Sequence, residues 1–207
     1  SGEEKRRVVP LSEIPQNLQN AYIAIEDKRF YDHNGVDLKR TFGATVTYIL
    51  HKGHSSYGGS TITQQLVKNI TKEDDRSGMA GIMRKVKEWW KAWILETALS
   101  KDEIITSYLN VIYTGPSIYG VENGAKYYFD EHVSNLDIAE CAFLAGINHA
   151  PNSYNPFKES TDNSEIIRKR TTTVLSEMKD QGKISEEEYN TAKAEVDEGL
   201  HFEKGNT

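Results

Sequence analysis

The stretch IPQNLQNAYIAIEDKRFYDHNGVD, residues 14–37, joins an apolar helical pattern directly to a charged segment. Its first half places apolar side chains on one face of a helix, at residues 14, 18, 21, 22 and 25. The second half is charged and polar, and it begins with Glu26 and Asp27 directly behind that face. By itself the stretch indicates either a charged helix end that runs into a turn or a catalytic carboxylate at a helix terminus.

Helical spacing returns along most of the chain, so the sequence predicts a mainly α-helical fold. The predicted helices cover residues 42–50, 61–70, 83–99, 104–109 and 136–147, followed by two polar amphipathic helices from about residue 165 onward. Glycine, proline and small polar residues predict breaks at SSYGGS (55–60), RSGMAG (76–81) and NHAPNSYNP (148–156), and the last two helices flank QGKIS (181–185). The sequence contains no alternating strand pattern and no internal repeat.

Length and composition indicate a soluble globular chain with either one large domain or one domain and a small appendage. It has 207 residues, of which 37% are hydrophobic and 27% charged, and no apolar run approaches the roughly 18 residues of a membrane span. The net charge is −6, of which residues 159–207 carry −5, so a nucleic-acid partner is not expected. The start SGEEKRR has no Met and no signal-peptide core, and we expect a trimmed end with an upstream anchor left open.

The segment GGSTITQQLVKN, residues 58–69, predicts a glycine-rich turn followed by a helix start. Thr61 and Gln64 have the spacing of a capping box, and a helix N-terminus behind such a turn offers N–H groups to an anion. Gln65 and Lys68 lie three residues apart, so they can face the same ligand. Ordinary capping without a ligand is the alternative. The segment lacks the lysine followed by serine or threonine that marks a nucleotide P-loop.

The segment MRKVKEWWKAWILE, residues 83–96, predicts a helix with two different faces. The apolar face consists of Met83, Val86, Trp90, Trp93 and Ile94. It is predicted to point inward; the alternative is that one of its tryptophans lies at a lipid interface. Arg84 and Glu88 lie four residues apart on another face. They form either a surface ion pair or a site in which Arg84 binds a phosphate and Glu88 orients it or holds a metal.

The charged turn behind Glu26 offers further candidates. His33 is either a structural hydrogen-bonding residue or a catalytic one. Metal ligation by Asp27, Asp32 and His33 is the other hypothesis, although their spacing matches no metal-binding motif.

Taken in order, five segments resemble glycosyltransferase family 51, the peptidoglycan polymerase domain of class A penicillin-binding proteins and monofunctional transglycosylases. They are EDKRFYDHNGVD, GGSTITQQLVKN, RKVKEWWKAWILE, KDEIITSYLNVIYTGPSIYGVENGAKYYF and LDIAECAFLAGINHAPNSYNP. The resemblance covers about residues 11–157. It implies a mainly α, lysozyme-like, two-lobed fold with a small lobe that faces the membrane. It also implies one glycosyltransferase domain over residues 1–207, ending in a helical segment from about residue 158 to 207.

The resemblance implies a reaction and a set of residues that carry it. Members of the family polymerise lipid II into glycan strands by inverting transfer, with release of undecaprenyl pyrophosphate. Glu26 matches the family's general base and Glu88 its second catalytic carboxylate. The residues that match its pyrophosphate-binding cations and substrate cleft are Lys68, Arg84, Gln65, Thr61, Asp27, Phe30, His33 and Ser60.

The resemblance further implies partners and a location. The partners are lipid II, lipid-linked glycan and the membrane surface, without nucleic acid, and a transpeptidase domain outside this chain in bifunctional members. The location is the extracytoplasmic face of the bacterial cell membrane, with an N-terminal anchor. The cofactor is at most a divalent cation, Mg or Mn, at the pyrophosphate. The helix predicted over residues 42–50 falls where the family contacts lipid; a plain core helix is the alternative.

Three places depart from the usual family pattern, namely Pro116-Ser117, Asn123-Gly124 and Cys141. They bear on contacts with the glycan, and not on the carboxylates or the cations. Cys141 is the single cysteine of the chain, and its apolar surroundings in CAFLAGI predict a buried thiol.

Two other interpretations use the same residues. A lysozyme-like enzyme that cleaves peptidoglycan also needs a glutamate, but it gives no reason for Lys68 and Arg84. A catalytically inactive module that binds lipid phosphate would keep both cations but would not need Glu26. Substitution of Glu26 separates these interpretations, because a binding module is indifferent to it.

Overall fold

A computed structural model describes residues 7–39, 59–71 and 78–207 of the chain. These residues form eight α-helices and one short hairpin, which confirms the predicted mainly α class. The helices are α1 (Gln16–Glu26), α2 (Ile62–Thr71), α3 (Gly78–Ala98), α4 (Lys101–Val111), α5 (Val121–Phe129), α6 (Ile138–Gly146), α7 (Ser164–Asp180) and α8 (Glu186–Glu198). The hairpin pairs β1 (Tyr113–Gly115) with β2 (Ile118–Tyr119) in antiparallel orientation.

The chain divides into two compact units, and the first contains the residues up to Lys28 and from Leu109 onward. Its centre is α6, which is apolar on nearly all sides and buried over residues 141–146. Helices α1 and α7 pack against α6. Tyr22 of α1 donates its hydroxyl hydrogen to the carbonyl of Leu144 at 3.3 Å. A helix without a polar face can only be stable when it is surrounded in this way.

The second unit comprises Arg29–Tyr108 and has α2 packed against α3. The capping box predicted at the start of α2 is present. The Thr61 amide donates to the Gln64 side chain at 2.7 Å, and the Gln64 amide donates to the Thr61 hydroxyl oxygen at 3.1 Å. The fully buried apolar side chains of this unit include Phe30, Ile62, Ala92, Ile104, Ile105 and Tyr108.

Helix α3 differs from its prediction in two respects. It begins at Gly78, inside the segment RSGMAG that was expected to interrupt the chain. The apolar face expected to point inward is exposed, with 45–63% of the residue surface accessible at Met83, Val86, Trp90, Trp93 and Ile94. The buried face carries Glu88 and Ala92 instead. A helical period identifies a face but not its neighbours, and here polar partners from other segments allow a charged face to be buried.

The remaining predictions have mixed outcomes. The two polar helices around QGKIS are confirmed as α7 and α8. In the loop predicted over residues 148–156, a short 3-10 helix (Ile147–His149) covers the first two residues and turns follow from residue 151. The hairpin was not predicted, because strands of three and two residues are too short to show alternation. The helix predicted over residues 42–50 lies outside the described residues.

Candidate active site

Glu26 is the last residue of α1 and belongs to the first unit. The completely buried Leu18 and Tyr22 lie two turns and one turn before it and anchor the helix. Glu26 itself is half-buried. Burial, and secondly the charge of Glu26, raise the pKa of the Tyr22 phenol well above its usual range. The carboxylate therefore stands at the end of a helix whose position is determined by its buried face.

Asp27 ends this helix and is itself only 1% exposed. Its amide donates to the Ile23 carbonyl at 2.9 Å, while its φ of −161° and ψ of 72° leave the helical region. The chain therefore turns sharply behind Glu26, as the charged stretch in the sequence indicates.

The loop that follows, residues 29–37, belongs to the second unit and is closed by polar contacts. Arg29 forms an ion pair with Asp37 at 2.6 Å, and the His33 ring accepts a hydrogen bond from the Gly35 amide at 3.0 Å. Gly35 has a φ of +101°, and a Cβ there would lie 2.8 Å from the Ala92 carbonyl oxygen. Only glycine fits this approach to α3, so the loop has one defined path.

Lys101 connects three segments of the second unit. Its ammonium group donates to the His33 carbonyl at 2.7 Å and to Glu96 at 2.8 Å, and it lies 4.5 Å from the centre of the Phe30 ring. Glu96 also accepts from the Thr63 hydroxyl at 2.7 Å. These contacts hold the loop 29–37 against α2 and α3. The sequence analysis missed Lys101 and Glu96; the signal available was that both are charged residues inside matched family segments.

Glu88 is the most buried acidic residue of α3, at 3% exposure, and two cations surround it. Arg84 contacts one carboxylate oxygen at 3.3 Å, which confirms the predicted pair, and Lys85 contacts the other at 2.8 Å. Lys85 also donates to the Ser60 hydroxyl at 2.6 Å. We call Ser60, Arg84, Lys85 and Glu88 the Glu88 cluster. Two positive charges around one negative charge leave an excess that suits an anionic ligand.

Gln65 and Lys68 lie on α2 and are both half-buried, whereas the intervening Leu66 and Val67 are buried. This agrees with the prediction that the two polar residues share a face. The Gln65 side chain accepts from the Tyr108 hydroxyl at 2.8 Å. Thr61 and Phe30 are completely buried, and the Thr61 hydroxyl donates to the Gly35 carbonyl at 2.7 Å. Both residues therefore hold the loop and the helix start in place.

The predicted site residues thus fall into two sets. The first unit contains Glu26 and Asp27, and the second contains Phe30, His33, Ser60, Thr61, Gln65, Lys68, Arg84 and Glu88. Lys85 is an addition that the sequence analysis did not single out. Among the described residues, no group of three or more His, Cys, Asp or Glu has the arrangement of a metal site.

Two of the three places that depart from the family pattern, Asn123-Gly124 and Cys141, have packing roles in the first unit. Asn123 donates to the Tyr119 carbonyl at 3.0 Å, and a Cβ on Gly124 would lie 3.0 Å from the Leu144 side chain. Cys141 is completely buried, as predicted, and burial raises the pKa of its thiol well above the usual range. These substitutions therefore belong to the packing of the first unit.

The first unit offers a half-buried glutamate at a helix end, and the second offers a carboxylate flanked by two cations. Transfer of a sugar from a phosphate leaving group needs groups of these two kinds. A family model described as "Transglycosylase" matches residues 1–179. The chain belongs to this family, glycosyltransferase family 51, whose domains in class A penicillin-binding proteins polymerise lipid II into glycan strands.

Known relatives agree with this assignment. The chain is 44% identical to penicillin-binding protein 1A of Clostridium perfringens over 208 residues, covering 98% of this chain and 30% of the relative. It is 42% identical to penicillin-binding protein 1F of Bacillus subtilis, covering 97% of this chain and 27% of the relative. The chain therefore spans less than a third of the length of these relatives.

A solved structure shows the same fold. The crystal structure of penicillin-binding protein 1A from Haemophilus influenzae superposes with a TM-score of 0.55 at 24% identity. The match covers all of this chain and 19% of that chain. The lysozyme-like helical fold implied by the sequence is thereby confirmed.

Proposed function

We propose that this chain polymerises lipid II by inverting glycosyl transfer, as a single glycosyltransferase domain made of both units. The Glu88 cluster is the observation that carries the proposal. A diphosphate leaving group departs with negative charge and requires cations more than it requires a proton donor. Hydrolysis of an uncharged glycosidic bond would need a second acid in place of these cations.

Glu26 is assigned the role of general base. Its carboxylate takes the proton from the 4-hydroxyl of the acceptor GlcNAc, and that oxygen forms the new bond to the anomeric carbon of the donor MurNAc. The bond between this carbon and the diphosphate oxygen breaks at the same time, so the configuration inverts and undecaprenyl pyrophosphate leaves with the electron pair. A positioned base of this kind contributes about 10²–10⁴-fold in rate.

The leaving group is assigned to the second unit. Lys68, Arg84 and Lys85 stabilise the diphosphate, and Glu88 holds the last two cations in a defined orientation, since its two oxygens accept from one each. Ser60 fixes Lys85 from the other side. Gln65 lies one turn before Lys68 and is assigned to the same substrate surface.

The other family positions are assigned supporting roles. Phe30, His33 and Thr61 hold the loop 29–37 in place through the contacts described above, and Asp27 ends the helix behind the base. In the Glu88 cluster a divalent cation would find one carboxylate, that of Glu88, whose oxygens already accept from Arg84 and Lys85. Mg or Mn would therefore be bound by the diphosphate of the substrate, and no step of the reaction is assigned to it.

We place the chain at the extracytoplasmic surface of the bacterial membrane, where its lipid-linked donor and acceptor reside. The exposed face of α3 supports this location. The ring centres of Trp90 and Trp93 lie 5.5 Å apart on this face, and Lys87 and Lys91 are on the same helix. Exposed tryptophans beside lysines are typical of helices that lie in a membrane interface. An N-terminal anchor and a transpeptidase domain are the expected further parts of the whole protein.

None of the described helices combines the length and the apolar character that a membrane span requires.

Polymerisation of labelled lipid II in detergent, resolved on a gel, tests the proposal. The unchanged chain should give a ladder of glycan products, and Glu26→Gln should give none. Ladders from both proteins would retain the polymerase and remove Glu26 as the base. Shortening of preformed glycan without polymer would favour the hydrolase, and binding of lipid II without either reaction would favour the binding module.

A further inference from the structure

Gln181, the first residue after α7, lies against the C-terminal end of α1. Its side-chain nitrogen donates to the Ala24 carbonyl oxygen at 2.9 Å and to a Glu177 carboxylate oxygen at 3.1 Å. The two ends of the first hydrogen bond are 157 residues apart in sequence, and all three residues belong to the first unit. Gln181 lies two residues beyond the end of the family match at residue 179.

The carbonyl that Gln181 reaches belongs to the turn that carries Glu26. The last four carbonyls of a helix have no partner within the helix. In α1 the Ile23 carbonyl is taken by the Asp27 amide, whereas the Ala24 carbonyl, two residues before Glu26, accepts from Gln181. Ala24 is 5% exposed, so water has little access to replace this donor.

The structure also determines which way the Gln181 amide points. Both neighbours of its nitrogen are acceptors, a carbonyl and a carboxylate, so the opposite orientation would place oxygen against oxygen. Among the described residues, the buried Gln181 side-chain oxygen has no hydrogen-bond partner. A buried oxygen without a partner costs free energy, so the two hydrogen bonds of the Gln181 nitrogen must offset that cost.

The end of α7 holds Gln181 in register. The Gln181 amide donates to the Glu177 carbonyl at 3.0 Å, and the chain then turns at Gly182, with φ at +71°. The Lys183 amide donates to the Met178 carbonyl at 2.8 Å, which is the hydrogen bond of a Schellman motif at the C-terminal end of an α-helix. Met178 is completely buried, so α7 itself cannot slide along its neighbours without loss of packing.

We propose that Gln181 is a positioning residue for Glu26, and that the C-terminal segment thereby takes part in the reaction by fixing the last turn of α1. This inference rests on the proposed role of Glu26 as the base. It assigns a task to a helical segment whose family role the sequence left open: α7 supplies the donor that completes the end of α1.

The first test compares Gln181→Met with Gln181→Lys. Methionine keeps the length and volume but removes the donor, whereas lysine restores a donor that can reach the Ala24 carbonyl and pair with Glu177. We expect Gln181→Met to lower kcat about tenfold with KM for lipid II unchanged, since displacing a catalytic group by about 1 Å costs on the order of a hundredfold. Gln181→Lys should recover most of the loss. Gln16→Met is the matched control, because Gln16 is exposed at the opposite end of α1.

The second test does not depend on polymerisation. The Asp27 amide donates to the Ile23 carbonyl in the last turn of α1. Its hydrogen exchange should be faster in Gln181→Met than in the unchanged chain, and Gln181→Lys should bring the rate back towards that of the unchanged chain. Should Gln181→Met fail to fold, Glu177→Ala is the alternative variant. It removes the carboxylate that holds the Gln181 side-chain amide but leaves the N–H donor of that amide in place. It should also speed exchange of the Asp27 amide and lower kcat.

Each outcome has one meaning. Equal kcat and equal exchange in Gln181→Met and the unchanged chain would overturn the inference while leaving the polymerase proposal intact. A lower kcat and faster exchange in Gln181→Met that Gln181→Lys does not reverse would also overturn the inference, because the donor would then not be responsible. If the unchanged chain itself makes no glycan, the polymerase proposal fails. Faster exchange in Gln181→Met would then still support the hydrogen bond, but the role of Gln181 in polymerisation would be overturned.

Discussion

Replacing Lys85 with methionine is expected to lower kcat/KM for lipid II by about a hundredfold. Lys85 contacts Glu88 at 2.8 Å and Ser60 at 2.6 Å. Methionine keeps the aliphatic stem but removes the charge, so the Glu88 cluster changes from net positive to neutral. Loss of one donor aimed at developing negative charge costs about 10²–10³ in kcat. The lower end applies here, because the Lys85 side chain is 31% exposed and solvent screens part of its charge.

The same substitution should cost little stability, so that the kinetic loss is not a consequence of unfolding. Removal of one partner from a fully buried ion pair costs about 3–5 kcal/mol. Glu88 keeps its contact with Arg84 at 3.3 Å, and Lys85 is partly exposed. We therefore expect the free energy of unfolding to fall by about 1–2 kcal/mol. Urea denaturation followed by circular dichroism measures this value.

The assay is the initial rate of glycan formation over a range of lipid II concentrations. Lys87→Met is the matched control, since Lys87 is exposed two residues further along α3. Lys85→Arg keeps the charge and should retain most of the rate. If Lys85→Met and Lys87→Met are both folded and differ by less than about threefold in kcat/KM, the Glu88 cluster does not bind the diphosphate and the reasoning is refuted.

Four further predictions concern stability, membrane binding and pH dependence. Gly35→Ala, at a φ of +101° and in collision with a backbone carbonyl of α3, should lower the free energy of unfolding by about 2–3 kcal/mol. Gly182→Ala, at φ +71° in open space, should cost only about 1 kcal/mol in the same urea titration. Trp90→Ser should weaken cosedimentation with anionic lipid vesicles, whereas Ile166→Ser, at an exposed apolar residue of the other unit, should not. Burial and neighbouring carboxyl groups raise the pKa of Glu195 to about 8. The folded state therefore binds the extra proton, and stability should fall as the pH rises from about 5 to 8, a slope that Glu195→Gln should flatten.

The features that the sequence predicted correctly are those whose partners lie within one helical turn. The capping box of Thr61 and Gln64 spans three residues, and the ion pair of Arg84 and Glu88 spans four. Both follow from the geometry of a helix, in which residues at these spacings are neighbours wherever the helix is placed. The same reasoning accounts for the helices themselves, whose apolar period needs no knowledge of the rest of the chain.

The features that the sequence missed join distant segments. Lys85 reaches Ser60 across 25 residues, and Lys101 reaches the His33 carbonyl across 68. Spacing along the helix makes Lys85 and Lys91, three residues from Glu88 on either side, candidates for its partner and excludes Lys87, but it does not decide between the two. Only the direction in which α3 turns its charged face separates a functional lysine from a solvated one.

Spacing along the chain predicts the helical class and the local caps, and five segments in order predict the family. The tertiary structure decided which face of α3 is buried, which lysine pairs with Glu88, and that Gln181 completes the helix of Glu26. The physical reason is that periodicity and capping depend on neighbours along the chain, whereas burial of a charge depends on partners across it. The two cations of Glu88 lie on its own helix, but the burial of Glu88 and the contact of Lys85 with Ser60 exist only once the chain has folded.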